Sequence, residues 1–175
     1  MQNANFVTLE HRARLFATVA HYGQARKYTG EPYIVHPEAV ANLVREVEGR
    51  TDVMLAAAWL HDTVEDTYVT HEYLRAEFGP AVAGLVDQLT DVSRPWHGNR
   101  EIRKARDREH LAFASPEAKT IKLADLIDNS RSILAHDPGF AQLYIAEKRA
   151  LLAVLREGDA KLWRQAHDIV QESGF

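Results

Sequence analysis

The chain contains no cysteine. That excludes disulfides, thiolate zinc sites and a cysteine nucleophile, and leaves histidine and carboxylate as the ligand set for any metal. Long hydrophobic runs are missing too: no apolar stretch approaches the ~20 residues that span a bilayer. The start, Met1-Gln2-Asn3-Ala4-Asn5, has neither a basic n-region nor an apolar h-region, so no signal peptide is expected. Neither sign of charge dominates. With 21 Lys and Arg against 25 Asp and Glu, the formal net charge of −4 favours neither duplex DNA nor an anionic membrane as partner. No internal repeat, low-complexity tract or linker interrupts the 175 residues. The expectation is a single cytoplasmic domain over 1–175 with a substantial core.

What is present is a helical pattern. Val, Leu and Ala recur at helical spacing and no alternating strand run stands out, so the fold class expected is all-α. Thr8 caps a stripe of Leu9, Ala13, Phe16, Ala17 and Ala20. Tyr28-Thr29-Gly30-Glu31-Pro32 is turn chemistry, and Pro37 suits the first turn of a helix through Val47, which presents His36 at its start. Thr51 and Asp52 cap a helix over Met54 to Val64. Thr70 opens a short helix closed by Gly79-Pro80, and another follows through Leu89. Ser93 to Asn99 reads as a loop, and Ser115-Pro116 opens a helix through Ile121, Leu123, Ala124 and Ile127. Two more helices cover about 141–156 and 160–171.

The chemistry centres on Ala56-Ala57-Ala58-Trp59-Leu60-His61-Asp62-Thr63-Val64-Glu65-Asp66. In a continuous helix His61 sits one turn below Glu65, and Asp62 one turn below Asp66. Ionised carboxylates beside an apolar face need a cation, and a divalent metal compensates them best. His-Asp occurs three times, at His61-Asp62, His136-Asp137 and His167-Asp168. The second copy runs into Pro138-Gly139 and reads as a helix end; the third reads as a solvated pair on a C-terminal helix. Only the first has an apolar approach and an acidic pair one turn on. Asp125, amid apolar neighbours, is the other conspicuous carboxylate, and its plain reading is an ordinary helix Asp satisfied by Lys122 or Arg131. His36, His61, Asp62 and Asp125 together would make a mixed N/O site suited to Mn²⁺, Fe²⁺, Zn²⁺ or Mg²⁺. Glu65 and Asp66 would then handle protons in hydrolysis of a phosphate ester or anhydride. The basic run Arg100, Arg103, Lys104, Arg106, Arg108 is either a solvated helix face or a cationic wall for a polyphosphate.

These residues resemble the HD metal-dependent phosphohydrolases. Longer matches narrow the resemblance: His21-Tyr22-Gly23-Gln24-Ala25-Arg26-Lys27, Gly30-Glu31-Pro32-Tyr33-Ile34-Val35-His36-Pro37, His61-Asp62-Thr63-Val64-Glu65-Asp66-Thr67, Phe78-Gly79, and Lys122-Leu123-Ala124-Asp125 with Asn129. Together they are similar to the hydrolase domain of the RelA/SpoT family, across roughly residues 15 to 155. The resemblance implies an HD-domain helical bundle that uses Mn²⁺ to remove pyrophosphate from the 3′ position of (p)ppGpp. It implies a stand-alone hydrolase, since no synthetase domain follows. His36, His61, Asp62 and Asp125 would be metal ligands, and Glu65 and Asp66 the catalytic acidic pair. Arg26, Lys27, Asn129 and Tyr144 would contact the nucleotide, a small-molecule partner. One departure is Asp128, which stands where family members often carry His or Tyr and could alter which substrate is accepted. Two alternatives stay open: another HD nucleotide phosphohydrolase, such as a 5′-nucleotidase or NADPH phosphatase, and an alarmone-binding module without turnover. Nucleic-acid binding is disfavoured because the basic run is short and lacks interleaved aromatics.

Overall fold

Helix starts follow the caps that the sequence offers. The computed structural model describes residues 7–175; Met1 to Asn5 lie outside the described residues. Thr8 accepts from the His11 N–H and opens α1 (Leu9–Ala20). α2 (Val35–Arg45) starts earlier than Pro37 suggests: Ile34 is already helical, so His36 lies within the first turn and is buried. Thr51 accepts from the Met54 N–H and opens α3 (Asp52–Leu60), which is followed by one short turn, α4 (Thr63–Asp66). Thr70 caps α5 (His71–Phe78), and Gly79, with φ of 86°, turns the chain into α6 (Pro80–Leu89). A 3-10 turn at Pro95–His97 lies inside the expected loop, and Asn99 then caps α7 (Arg100–Ala112). Ser115 caps α8 (Pro116–His136), Asp137 caps α9 (Pro138–Leu152), and Asp159 caps α10 (Ala160–Glu172). The expected all-α class holds: among the described residues there is no strand, only an isolated antiparallel bridge between Ala25 and Pro32.

α3 is the axis of the bundle. Met54 through Leu60 are all buried, as a helix apolar on every side must be. α1, α2, α6 and α8 pack around it. Ala56, Ala57 and Ala58, each wholly buried, let those neighbours approach closely. α8 contributes Ile121, Leu123, Leu126 and Ile127 to the same core. Opening a hole at the fully buried Leu60 would cost about 2–5 kcal/mol. That is a large share of the ~5–15 kcal/mol that holds a domain folded. The end of α3, and with it His61, is therefore held rigidly. No helix among the described residues is long and apolar enough to cross a membrane.

Candidate active site

The helix expected over Met54 to Val64 is not continuous. α3 ends at Leu60, His61 is its C-cap, and Asp62 is the N-cap of α4. The Thr63 hydroxyl donates to the Leu60 carbonyl at 2.7 Å, a side-chain bond that competes with the helical ladder at the break. Consecutive side chains of an unbroken helix diverge by about 100°. At this break they converge, and Asp62 Oδ2 lies 3.1 Å from His61 Nε2.

His36 completes the corner from α2. Its Nε2 lies 3.3 Å from His61 Nε2 and 3.4 Å from Asp62 Oδ2. Asp125 Oδ1, from α8, is 3.3 Å from His36 Nε2 and 4.0 Å from His61 Nε2. His36, His61 and Asp62 thus offer three ligand atoms to one point, with Asp125 reaching in across His36. Both imidazoles have their other nitrogen occupied. His61 Nδ1 donates to the Ala58 carbonyl at 2.8 Å, and His36 Nδ1 donates to Asp128 Oδ2 at 2.6 Å. Each Nε2 is then left with a lone pair aimed at the other, an arrangement that only a shared proton or a cation can stabilise. Burial opposes protonation of both rings. The carboxylates of Asp125, Asp128 and Asp62 outweigh it at His36, as Asp62 and Asp125 do at His61, and raise both pKa values. A corner that attracts protons this strongly fits a divalent metal ion, and two imidazoles with carboxylates suit the borderline-hard first-row ions.

Around this corner stands a second layer. Asp128, the departure noted in the sequence, both accepts from His36 and lies 3.3 Å from an Arg26 guanidinium nitrogen. It fixes the His36 tautomer with Nε2 inward, the job that carboxylates perform for metal-bound histidines. The Tyr33 hydroxyl donates to Asp62 Oδ2 at 2.6 Å, and burial followed by the Asp62 charge keeps that phenol protonated. Asn129 donates to Asp125 Oδ1 at 2.5 Å and accepts from Arg26 at 3.3 Å. Lys122 Nζ lies 2.8 Å from Asp125 Oδ2, so the plain reading of Asp125 is true of one oxygen while the other faces His36. Burial would raise the Asp125 pKa, but Lys122 and the histidines hold it far below the carboxylate range.

Arg26 is presented by a tight loop. Its N–H donates to the Glu31 carbonyl at 2.8 Å and its own carbonyl accepts from Gly30, whose φ of 71° suits glycine. The sequence pairs Arg26 with Lys27, but the structure separates them. The Arg26 side chain is 15% exposed against the cluster, while Lys27 is 74% exposed and reaches outward to Asp137. Tyr144 is buried on α9, where burial and then the Asp125 charge raise its pKa.

Glu65 and Asp66 are solvent-accessible residues whose carboxyl ends are partly desolvated, and they meet different neighbours. Glu65 Oε1 accepts from the Asp91 N–H at 2.7 Å. Desolvation pushes its pKa up to about 7, against the pull of Lys122. The Asp66 carbonyl accepts from Gln24, while its carboxyl is raised by desolvation and by the Asp62 charge. Sequence reasoning gave no role to Tyr33 or to His21, a buried ring 4.8 Å from Tyr33 whose Nε2 has no hydrogen-bond partner among the described residues. Both lie inside motifs already singled out, so the signal was adjacency alone.

A family model described as HD domain matches residues 13–157. The chain belongs to the HD-domain family. Within it the chain groups with the RelA/SpoT-related members. It is 38% identical over 147 residues to a probable guanosine-3′,5′-bis(diphosphate) 3′-pyrophosphohydrolase of Synechocystis, covering 82% of this chain but 19% of that protein. It is 38% identical over 136 residues to the MESH1 guanosine-3′,5′-bis(diphosphate) 3′-pyrophosphohydrolase of Xenopus tropicalis, covering 75% of this chain and 74% of that one. The chain therefore spans about a fifth of the longer relative and about three quarters of the shorter. The solved structure of a metazoan orthologue of SpoT that hydrolyses ppGpp matches with a TM-score of 0.84 at 30% identity, over 95% of this chain and 96% of that one.

Proposed function

We propose that this protein is a metal-dependent hydrolase that removes pyrophosphate from the 3′ position of a purine nucleotide alarmone, (p)ppGpp or its adenosine analogue. The observation that carries the reading is the convergence of His36 Nε2, His61 Nε2 and Asp62 at one point, beside a carboxyl tuned to about 7 at Glu65. The activities named for the Synechocystis and Xenopus relatives support it. His36, His61, Asp62 and Asp125 would hold the ion, Mn²⁺ in this reading, within one domain. Bound there, the ion supplies positive charge against the phosphoryl oxygens. Glu65, half ionised near neutral pH, takes the proton of the attacking water, with Asp66 as the second carboxyl of the pair. The water oxygen bonds to phosphorus, the bond from phosphorus to the ribose 3′ oxygen breaks, and that oxygen takes up a proton as pyrophosphate leaves. Arg26, steered by Asp128 and Asn129, meets the nucleotide's phosphates, and Tyr144 lies on the α9 side of the site.

The test is incubation with Mn²⁺ and a panel of guanosine and adenosine 3′-pyrophosphates. Release of pyrophosphate together with the nucleoside 5′-diphosphate or 5′-triphosphate is expected. Release of orthophosphate alone, whatever nucleotide is supplied, would replace this reading with a general HD nucleotide phosphohydrolase. Binding without turnover would replace it with an alarmone-binding module.

A further inference from the structure

Beside Lys122, the ion-pair partner of Asp125, lies a cavity of about 60 Å³ lined by charged groups from several elements. Its carboxylates are all engaged. Asp91 is paired with Lys104 at 2.8 Å, Asp107 accepts from the Ser93 N–H and hydroxyl, and Glu147 is held by two nitrogens of Arg100. Lys122 on the same wall is paired with Asp125. Two cations remain, Lys148 from α9 and Arg108 from α7. Both are half-buried and both line the cavity, and neither has an ion-pair or hydrogen-bond partner among the described residues.

An uncompensated ammonium and guanidinium facing one small cavity are costly unless an anion joins them. Burial, and next the Lys122 charge, pull the Lys148 pKa down to about 8 against the opposing charges of Asp125 and Glu147. The cavity is not remote from the metal corner: Lys122 lines it and holds Asp125, which faces His36. Lys148 also sits 4.7 Å above the ring of Tyr144. A tetrahedral oxyanion is the ligand this set fits, since its several oxygens can accept from an ammonium and a guanidinium at once.

We propose that Lys148 and Arg108 form a phosphoryl-binding site in this cavity, which takes the outer phosphoryl group of the pyrophosphate that the substrate carries. This rests on the hydrolase reading for the identity of the substrate, but the anion site can be tested without turnover.

The experiment is calorimetric titration of the Mn²⁺-loaded protein with inorganic pyrophosphate, for the wild type, Lys148→Met, Lys148→Arg and Arg108→Gln. The wild type should bind pyrophosphate, and Lys148→Met and Arg108→Gln should each weaken it by about tenfold or more, as loss of a charge-assisted contact does. Lys148→Arg, which keeps the charge, should bind pyrophosphate more tightly than Lys148→Met does. Lys148→Met should unfold no earlier than the wild type, since it removes a half-buried cation that has no ion pair among the described residues. In the wild type, pyrophosphate should compete with the nucleotide. Pyrophosphate binding that is absent, or that ignores Lys148 and Arg108, would overturn the site. Lys148-dependent binding that does not compete would overturn its assignment to the substrate. A protein that binds pyrophosphate through Lys148 yet releases none from any nucleoside 3′-pyrophosphate would keep the anion site and discard the hydrolase reading.

Discussion

His61-Asp62 and His167-Asp168 are the same dipeptide in two settings. In α10 the chain stays helical, the pair sits 3.3 Å apart on the surface, and the side chains are 40% and 65% exposed. The His167 ring stacks on Trp163 and meets no other carboxylate within ion-pair distance among the described residues. At the end of α3 the helix breaks, the side chains are 2% and 17% exposed, and His36 and Asp125 close in from α2 and α8. Chemistry follows from the break and the burial, and the dipeptide alone carries none of it.

Truncation should separate the two dipeptides most strongly. His61→Ala and Asp62→Ala are expected to lose turnover by roughly 10²-fold or more, since each removes a proposed metal ligand, whereas His167→Ala and Asp168→Ala should match the wild type. Equal losses in steady-state kinetics at the two dipeptides would erase the distinction.

Glu65→Gln should keep bound metal but lower kcat by about 10²–10⁴-fold, the usual contribution of a positioned proton-transfer group. Because the carboxylate is the active form and its pKa is raised to about 7, wild-type kcat/KM should rise with pH through about 7. That limb should vanish in Glu65→Gln; a variant that retains it would place the titration elsewhere.

Asp128 and Arg26 give smaller effects. Asp128→Asn weakens the hold on His36, and metal affinity measured by equilibrium dialysis should fall by about 10–100-fold. Arg26→Ala should raise KM by roughly tenfold or more, and Lys27→Ala should change it by less than about threefold, because Lys27 points to Asp137. Equal KM changes in the two variants would contradict the separation of the pair.

The smallest effect is on stability. In the metal-free protein, His36 and His61 hold protons more tightly when folded than when unfolded. Their contribution is fully present below the ordinary value of 6.5 and is lost as pH rises through the raised folded values. Metal-free protein should therefore show a falling Tm as pH is raised from 6 upward, a loss that saturating Mn²⁺ should remove. A flat profile without metal would mean that the two rings do not share a proton.

Much of this was legible in the sequence, and the misses have physical causes. Caps at Thr8, Thr51, Thr70 and Ser115 are local chemistry, so the starts of α1, α3, α5 and α8 could be read directly. The interruption at His61 could not, because Ala, Trp, Leu and Val carry the helical period through it and the Thr63 hydroxyl leaves no mark on hydrophobicity. Asp128 reads in the sequence only as a departure that could alter substrate choice, since its partner His36 is 92 residues away. The basic run is not one uniform solvated face. Arg100 and Lys104 are tied to Glu147 and Asp91, and Arg108 faces a cavity. Periodicity alone cannot sort such cases, which depend on what packs opposite.

The most direct test of the account is a crystal of the Mn²⁺-loaded protein measured at the manganese absorption edge. The account predicts one strong anomalous peak bonded to His36 Nε2, His61 Nε2 and Asp62, with Asp125 completing the set and none at His136-Asp137 or His167-Asp168. A peak at either of those other dipeptides, or none between His36 and His61, would contradict it.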